Sequence, residues 1–322
     1  MHGRIAVIGA GALGSLFAGR IAASGREVVT IDIDLARLSE IERHGIRWRE
    51  NGIERHARPG AASARNIDGP INIFLFTTKA AALPAAIRSV KHLAADDSTA
   101  ISFSNGLRHE TTLMSLSGDT TPLLAVTDVS ADLVAGVIET HGRGTIWIGG
   151  VDASSRRAVA AATELLRHAR FTVEPQDDPR PSIWEKAAFN AALNATATIA
   201  GKPVGFLDNA SGRWILDAVA REVVSVANAL GINARLSTVL ERVDHALSAQ
   251  GDHRPSMLQD RDAGRPTEIE AINGAIVEMA GKVNIDVPVT RTLANLVRIL
   301  EPTQQARGLS AGICEGDASI RV

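Results

Sequence analysis

The first 150 residues alternate between short runs of apolar, β-branched residues and longer segments with helical spacing. The runs cover residues 4–8, 27–32, 71–77 and 99–103, and a helical pattern follows each of them. Alternation of strand and helix is typical of an α/β domain whose sheet is parallel and carries helices on both faces. The pattern therefore predicts a doubly wound parallel sheet in this part of the chain.

Further strands are indicated after this region, and they end near a polar segment. Residues 123–149 alternate in the manner of strands, and a helix over 155–168 and a strand over 171–174 follow. The segment QDDPRP at 176–181 is polar and holds two prolines, as domain boundaries often do.

Helical periodicity dominates from residue 182 to about residue 300, with almost no strand signal. Ser182 and Glu185 fit a capping box, in which Ser182 is the N-cap of the first helix and Glu185 reaches back to it. The last residues hold few bulky apolar side chains. We therefore predict an α/β domain over 1–178, an all-helical domain over 179–302 and a loose tail over 303–322.

The composition narrows the classes of partner. The 322 residues include 45% hydrophobic and 22% charged residues with a formal charge of −2, and no run of Lys or Arg suggests nucleic acid as a partner. No stretch of 18 apolar residues predicts a membrane span. The single cysteine, Cys314, fits a reducing compartment, so we expect a cytoplasmic protein. The nine histidines show no metal-ligand spacing, so no metal is expected.

A glycine-rich turn, GAGALG, joins the first strand to the first helix. Gly9 permits the tight turn, Gly11 lets a pyrophosphate approach the backbone, and Gly14 lets helix and strand pack closely. The N–H groups at the start of the helix, including those of Ala12 and Leu13, would face the phosphates. The turn in this context predicts a Rossmann-type domain that binds NAD(P)H.

Asp32 ends the second strand, where an acidic residue can accept hydrogen bonds from both ribose hydroxyls of the adenosine. Its charge would repel a 2′-phosphate, so Asp32 favours NADH over NADPH. Two alternatives stay open at this point: the carboxylate of Asp32 points away, or Arg37 turns in to hold the phosphate.

Lys79 and Asn105 follow the third and fourth of the predicted strands. Side chains at the carboxyl ends of strands in an open α/β sheet face the ligand crevice. Lys79 could meet cofactor oxygens or a substrate carboxylate, and Asn105 could orient the nicotinamide or the substrate. A solvated lysine at the start of the next helix fits the position of Lys79 equally well.

Lys186, Asn190 and Asn194 recur every four residues on a helix that is otherwise rich in alanine, so they share one face. Asparagine is a poor helix former, so two of them in line with a lysine need a reason. Reduction of a ketone places negative charge on oxygen, which a Lys ammonium can stabilise and protonate. The asparagines would hold other substrate oxygens; the alternative is a solvated polar stripe.

Glu268 follows Pro266 in the first turn of a further predicted helix. A functional Glu268 would bond a substrate hydroxyl or a cofactor group near Lys186, and Ser256 could donate to a substrate carboxylate. A glutamate in a first turn is also favourable through the helix dipole alone.

Taken together, six segments occur in the order typical of one family. The chain resembles the ketopantoate reductases (2-dehydropantoate 2-reductases) over roughly residues 4–300. The matching segments are GAGALG, TTK at 77–79, SNG at 104–106, HGRG at 141–144, WEKAAFNAALN at 184–194 and SMLQDRDAGRPTEIEAING at 256–274.

The resemblance implies NADPH-linked reduction of 2-dehydropantoate to pantoate in pantothenate biosynthesis. It also implies a Rossmann domain joined to an all-helical domain. By the same motifs Lys186 would be the general acid, and Glu268 would touch substrate or cofactor. The other residues that it assigns to substrate or cofactor are Lys79, Asn105, Asn190, Asn194 and Ser256.

Four positions depart from the family pattern. Ser104 stands where Gln or His is common, His253 where an Asn for substrate is expected, and Val204 where Asn is common. Asp32 replaces the basic residue of a strictly NADPH-dependent member. The departures place His253 among the candidate substrate-binding residues and leave the 2-oxo acid open.

Three other functions remain as alternatives, and a homodimer is left open. They are an NAD-linked enzyme for another 2-oxo acid, a 3-hydroxyacid or opine-type dehydrogenase, and a non-catalytic NAD(P) sensor. The segment SMLQDRDAGRPTEIE at 256–270 argues against the second of these. The helix around 213–230 is predicted as core, and a homodimer through the helical domain is left open.

Overall fold

The computed structural model of the protein describes residues 3–115, 120–140 and 144–301. The chain divides into two compact units, one of residues 1–186 with 232–234, the other of 187–231 with the described residues from 235 onward. The two units divide after Lys186, inside a helix, and not at a loop. The predicted domain boundary at residue 178 therefore stays a prediction. The tail at 303–322, with Cys314, and most of the HGRG segment lie outside the described residues.

The first unit is built on a mixed sheet of eight strands. Their order is β12-β11-β8-β7-β6-β1-β2-β5. The six strands from β8 to β5 are parallel, whereas β11 pairs antiparallel with β8 and parallel with β12. The strands are β1 Ile5–Ile8, β2 Val28–Ile31, β5 Gly60–Ala62, β6 Ile71–Phe76, β7 Ala94–Ser102, β8 Thr121–Thr127, β11 Thr145–Gly150 and β12 Thr172–Pro175.

All four strands predicted from the first apolar runs are present, and the doubly wound Rossmann-type sheet is confirmed. The chain continues from β1 to β2 on one side, and β6 lies on the other side of β1. The carboxyl edge at such a reversal of strand order is where open α/β sheets bind their ligands.

A second, four-stranded sheet was predicted only in part, because the strands at Asp132–Val134 and Val137–Thr140 fall within the strand-like residues 123–149, whereas those at Ile46–Glu50 and Ile53–Ala57 were not predicted. It has the order β4-β3-β10-β9, with β3 Ile46–Glu50, β4 Ile53–Ala57, β9 Asp132–Val134 and β10 Val137–Thr140. The sequence IRWRE of β3 begins with alternating apolar and charged residues, of which Ile46 and Trp48 are buried and Arg47 is exposed, as suits a sheet with one face in water.

Helix α1, Ala12–Ala23, packs between the two sheets, and residues 14–21 are all buried. Phe17 stacks on Phe171, the residue before β12, with ring centroids 4.5 Å apart. On the other side, a Cβ at Gly19 would lie 3.1 Å from the Trp48 ring of β3. The absence of a side chain at Gly19 therefore lets the small sheet cover the helix closely.

The opposite face of the large sheet is covered by different helices. Leu83 and Ile87 of α3 and Leu113 of α4 pack there with Phe74 and Phe76. The remaining helices of this unit are α2 Leu35–His44, α3 Leu83–Val90, α4 His109–Leu113 and α5 Arg156–His168.

The second unit is helical, as the periodicity predicts. Helix α6 runs from the end of the first unit into it, and a π-helical turn at Glu270–Gly274 precedes α10. No helix among the described residues is both long and apolar enough to cross a membrane. The helices are α6 Arg180–Ala200, α7 Ala210–Ala229, α8 Leu236–Ala249, α9 Ser256–Asp262, α10 Ala275–Lys282 and α11 Pro288–Leu300.

The predicted capping box at the start of α6 is wrong. The helix begins at Arg180, so Ser182 lies within its first turn and is not the N-cap. The carboxylate of Asp178 accepts the backbone N–H of Arg180 at 3.0 Å and also its guanidinium at 2.8 Å. Asp178 thus satisfies a free N–H at the start of the helix, which is the role expected of a capping side chain.

His109 is buried in the first unit, and neither ring nitrogen has a hydrogen-bond partner among the described residues. Burial lowers the pKa of His109 to about 4, below its ordinary value of 6.5. The unfolded chain therefore binds a proton between these values that the folded protein does not, so His109 reduces stability as the pH falls from about 6.5 to 4.

We expect His109→Leu to reduce the loss of unfolding free energy between pH 7.5 and pH 5 by about 2 kcal/mol. Leucine removes the buried proton acceptor at little change in volume. Urea unfolding of parent and variant at both pH values measures the difference. An equal loss in both proteins would show that His109 is not neutral in the folded state.

Candidate active site

The glycine-rich turn is held rigidly against the end of β1. Gly9 has a φ of +107°, a conformation that favours glycine, and its N–H donates to the carbonyl of Ile31 at 2.8 Å. The hydroxyl of Thr77, just after β6, lies 3.0 Å from the carbonyl oxygen of Ile8 and 3.1 Å from that of Gly9. The turn is therefore fixed by both neighbours of β1.

Two further glycines of the turn differ in the space around them. A Cβ at Gly14 would lie 1.9 Å from the carbonyl oxygen of Gly9 and 2.4 Å from the Thr77 hydroxyl, so only glycine fits there. A Cβ at Gly11 would meet no atom within 4 Å. Gly11 thus leaves open space beside the first turn of α1, where the N–H groups of Ala12 and Leu13 lack helix partners. This space suits a pyrophosphate.

The carboxylate of Asp32 turns towards the glycine-rich turn. It accepts the N–H of Ala10 at 2.5 Å, that of Ile33 at 2.7 Å and that of Asp34 at 2.9 Å. The alternative in which Asp32 points away from the turn does not hold. A carboxylate offers about four lone-pair positions, so three backbone donors leave capacity for a ribose hydroxyl.

Arg37 also lies against the turn. Its Nε donates to the carbonyl of Ala10 at 3.3 Å and its Nη2 to the Ser15 hydroxyl at 3.1 Å, while Nη1 pairs with Glu40 at 2.7 Å. Arg37 and Asp32 thus bond to the same residue, Ala10, and Glu40 compensates part of the guanidinium charge.

Lys79 and Asn105 occupy neighbouring loops. Lys79 follows β6 and is exposed, and Asn105 follows β7 and is half-buried. The Ser104 hydroxyl joins these loops by donating to the carbonyl of Thr78 at 2.9 Å. Ser104 itself is buried, so its departure from the family pattern changes the support of the loops and not their exposed surface.

Lys186 belongs to the first unit, although its helix continues into the second. Its half-buried ammonium donates a hydrogen bond to the backbone carbonyl of Thr127, the last residue of β8. The Thr127 hydroxyl donates to the carbonyl of Thr145 at 2.9 Å, which ties this position to β11. A strand end thus fixes the place of the lysine.

The first unit therefore gathers most of its candidate residues at one edge. Strands β1, β6, β7 and β8 are adjacent and parallel, so their carboxyl ends lie side by side about 4.8 Å apart. Along this edge stand, in order, Gly9, Lys79, Asn105 and the carbonyl of Thr127 that holds Lys186.

Asn190 and Asn194 are only 8% and 6% exposed. This burial argues against the solvated polar stripe that their spacing alone allowed. Burial of amide groups is unfavourable unless they find partners, so these side chains need polar partners.

Sequence reasoning missed Asn273, which is fully buried in the second unit. Its amide nitrogen donates to the carbonyl of Ala191 on α6 at 3.0 Å, and its Oδ1 has no partner among the described residues. The bond ties the π-helical turn to α6 between Asn190 and Asn194. The sequence signal that could have found Asn273 is an asparagine within the apolar stretch INGAIV.

Glu268 stands just before the π-helical turn and not inside a first helical turn as predicted. Its carbonyl accepts the N–H groups of Ala271 and Ile272, both at 3.0 Å, and its side chain is half-buried. The π-helical turn shifts the start of the helix after Glu268, which local spacing does not reveal.

Ser256 and His253 are exposed, and Ser256 is the first residue of α9. The carbonyl of His253 accepts the N–H of Val204 at 3.0 Å, so two positions that depart from the family pattern are bonded neighbours. Val204 is fully buried and acts through packing. No cluster of metal-ligating side chains occurs within the described ranges.

Comparison with known proteins identifies related chains over nearly the whole length. The sequence model of a family described as ketopantoate reductase PanE/ApbA matches residues 5–153, and that of its C-terminal domain matches 178–301. A 2-dehydropantoate 2-reductase of Archaeoglobus fulgidus is 30% identical over 300 residues, or 92% of this chain and 98% of the relative. One of Halobacterium salinarum is 28% identical and covers 92% and 99%.

Two solved structures are also similar to this chain over more than nine tenths of its length. A D-mandelate dehydrogenase with NADH and anilino(oxo)acetate is 25% identical, with a TM-score of 0.87 over 92% of this chain and 98% of the other. A PanE/ApbA family ketopantoate reductase from Ralstonia eutropha JMP134 is 28% identical, with a TM-score of 0.85 over 94% and 99%.

Alanine variants of Gly11 and Gly14 provide a matched test of the cofactor site. We expect Gly11→Ala to leave the thermal stability unchanged and to weaken NADH binding at least about tenfold, because its methyl group would enter only the space for the pyrophosphate. Gly14→Ala should instead destabilise the fold by about 1–3 kcal/mol through overpacking. Thermal unfolding and NADH fluorescence titration separate the two effects. Undiminished binding by Gly11→Ala would place the dinucleotide elsewhere.

Proposed function

The chain belongs to the ketopantoate reductase family and is an NAD(P)-dependent oxidoreductase, and on this premise we propose that it reduces 2-dehydropantoate to pantoate. The observation that carries the proposal is the ammonium of Lys186, bonded to the Thr127 carbonyl at the carboxyl edge of the sheet. This edge also carries the glycine-rich turn, whose open space at Gly11 fits a dinucleotide. When bound, the reduced dinucleotide supplies the hydride.

Lys186 is the proposed general acid. A Lys ammonium has three N–H donors, so its bond to Thr127 is compatible with another to the ketone oxygen of the substrate. As that oxygen gains negative charge, the ammonium stabilises it and transfers a proton to it. The backbone bond restricts the orientation of the lysine, and such positioning lowers the entropic barrier.

The remaining candidate residues would bind and orient. Asn105 would hold the nicotinamide or the substrate, and Lys79 would meet anionic oxygens, since both follow strands at the same edge as Lys186. In the second unit we assign substrate binding to Asn190, Asn194, Ser256 and His253. Glu268, whose turn is tied to α6 through Asn273, would accept a hydrogen bond from substrate or cofactor.

A different 2-oxo acid is the second candidate substrate. It is favoured by the bonded pair of Val204 and His253, because both positions differ from the family pattern and Val204 sets the backbone that carries His253. The similarity to a D-mandelate dehydrogenase points in the same direction, since mandelate is a 2-hydroxy acid with an aromatic group. The chemistry at Lys186 would be the same for both substrates.

We propose NADH as the preferred cofactor. The Asp32 carboxylate is fixed at the end of β2 by three backbone N–H groups, so a 2′-phosphate beside it would meet a negative charge that cannot easily move. Arg37 opposes this preference, because its guanidinium lies 3.3 Å from the Ala10 carbonyl. Its ion pair with Glu40 reduces the charge that it offers to a phosphate.

We expect Lys186→Ala to lower kcat for 2-dehydropantoate by about 10²–10⁴, the usual effect of removing a proton donor. Binding of NADH should remain, because the glycine-rich turn and Asp32 are unaltered. Absorbance loss of NADH with 2-dehydropantoate, and with 2-oxo-2-phenylacetate in parallel, measures turnover and identifies the substrate.

Lys91→Ala is the matched control, because Lys91 is an exposed lysine elsewhere in the first unit. It should leave both kcat and KM unchanged. A loss of less than tenfold for Lys186→Ala with every substrate that is turned over would overturn the role of Lys186 as general acid.

For the cofactor, we expect the parent enzyme to use NADH with the higher kcat/KM. Asp32→Asn removes the charge at nearly constant shape and should raise the ratio of kcat/KM for NADPH over NADH about tenfold, equivalent to ~1.4 kcal/mol. Steady-state kinetics with both dinucleotides gives the ratio. If the parent prefers NADPH and Arg37→Gln abolishes that preference, Arg37 and not Asp32 determines the cofactor.

A further inference from the structure

A second pocket lies in the first unit, far from the glycine-rich turn. It has a volume of about 320 Å³ and surrounds the last turn of α1, the exposed end of β3 and the loop that joins α5 to β12. The 12 residues of α1 separate the two places by about 18 Å along the helix. The volume falls at the lower end of the range for small-molecule sites.

Positive charge converges on this pocket. Arg20, Arg55 and Arg170 line it, and Glu50 is the one carboxylate among its lining residues. Glu50 pairs with the Nη2 atom of Arg20 at 2.9 Å and lies 3.9 Å from the Nε atom of Arg55. Burial lowers the pKa of Arg20; Glu50 opposes the shift, and the charges of Arg55 and Arg170 add to it. Three guanidinium groups against one carboxylate leave an excess of two positive charges.

Several hydrogen-bond donors of the lining have no acceptor. The Nε atoms of Arg20 and Arg55 and the Nε1 atom of Trp48 are buried without a partner among the described residues. Arg20 is only 8% exposed and Trp48 only 2%. Buried donors are nearly always satisfied in folded proteins, so three unsatisfied donors show that the polar groups of this pocket wall lack partners within the protein.

The backbone at Arg170 gives an independent indication. Helix α5 ends in a Schellman motif, in which Arg170 donates to Arg167 at 2.9 Å and Phe171 to Leu166 at 3.0 Å. Arg170 occupies the left-handed position of this motif, with a φ of +64°, where glycine or asparagine is usual. An arginine in an unfavourable conformation at a pocket rim is the type of outlier that marks functional sites.

We propose that this pocket binds a small phosphate monoester, independently of the dinucleotide. A phosphate dianion matches the two excess positive charges, and the guanidinium groups of Arg55 and Arg170 in the pocket lining can donate hydrogen bonds to its oxygens. Glu50 can keep its ion pair with the Nη2 atom of Arg20 when the phosphate binds, because the excess of two positive charges already includes its carboxylate. The pocket is larger than a phosphate group alone, which leaves room for the organic part of the ligand.

The test uses calorimetric titration of the full-length protein with inorganic phosphate and with glycerol 3-phosphate at constant ionic strength. Two variants remove positive charge from the rim, Arg170→Gly and Arg55→Gln. Each should weaken binding of both probes about tenfold or more. Arg170→Gly places glycine at the left-handed position, so its thermal stability should equal or exceed that of the parent, and lost binding cannot then reflect misfolding.

Two controls distinguish this pocket from other anion sites. Arg88→Gln removes an exposed arginine of α3, away from the pocket, and should leave binding unchanged. Gly11→Ala should also leave it unchanged, whereas phosphate bound at the glycine-rich turn would be lost. The proposal is overturned if phosphate binds no better than chloride, or if Arg170→Gly and Arg55→Gln bind both probes as the parent does.

Discussion

The close contact of α1 with the end of β1 is the constraint on which the site depends. The absent side chain of Gly14 lets the helix backbone approach the Gly9 carbonyl, and the Thr77 hydroxyl joins both to β6. This contact places the free N–H groups at the start of α1 at the carboxyl edge of the sheet. It also fixes the direction of α1, so that its far end reaches the small sheet at Trp48. One contact therefore links the place of the glycine-rich turn to that of the pocket near Trp48.

The proposed general acid is positioned by the same sheet. Lys186 bonds a backbone carbonyl and not a side chain, so the register of β8 determines where its ammonium lies. The Thr127 hydroxyl and the N–H of Val129 extend this support to β11 and to the following loop. The bond to Lys186 itself is made by the backbone of residue 127, whereas the Thr127 side chain supports that backbone. It follows that a lysine on a helix from outside the sheet can share an edge with the glycine-rich turn.

The sequence predicted the elements whose patterns are local and strongly apolar. The central strands β1, β2 and β6 of the large sheet are buried on both faces, and their runs of Ile, Val and Phe show this directly. Strands β3 and β4 of the small sheet were missed because they are short and rich in charged residues, and β4 has no regular alternation of apolar and polar positions. Asp178, and not Ser182, accepts hydrogen bonds at the start of α6, because Arg180 donates to it through its backbone N–H and two guanidinium nitrogens, an interaction that a capping pattern does not contain. The role of Asn273 depends on a contact 82 residues away in sequence.

Some of the charged residues that line the second pocket are explained by folding alone, and others are not. A basic side chain in the last turn of α1 is favoured by the helix dipole, and Glu50 satisfies its charge at 2.9 Å. Those two interactions explain why Arg20 can be buried. They do not explain Arg55 or Arg170, whose positive charges oppose that of Arg20. Because Glu50 is shared between Arg20 and Arg55, and because folding alone would favour glycine at residue 170, the excess positive charge is best explained by an anion that binds between Arg55 and Arg170.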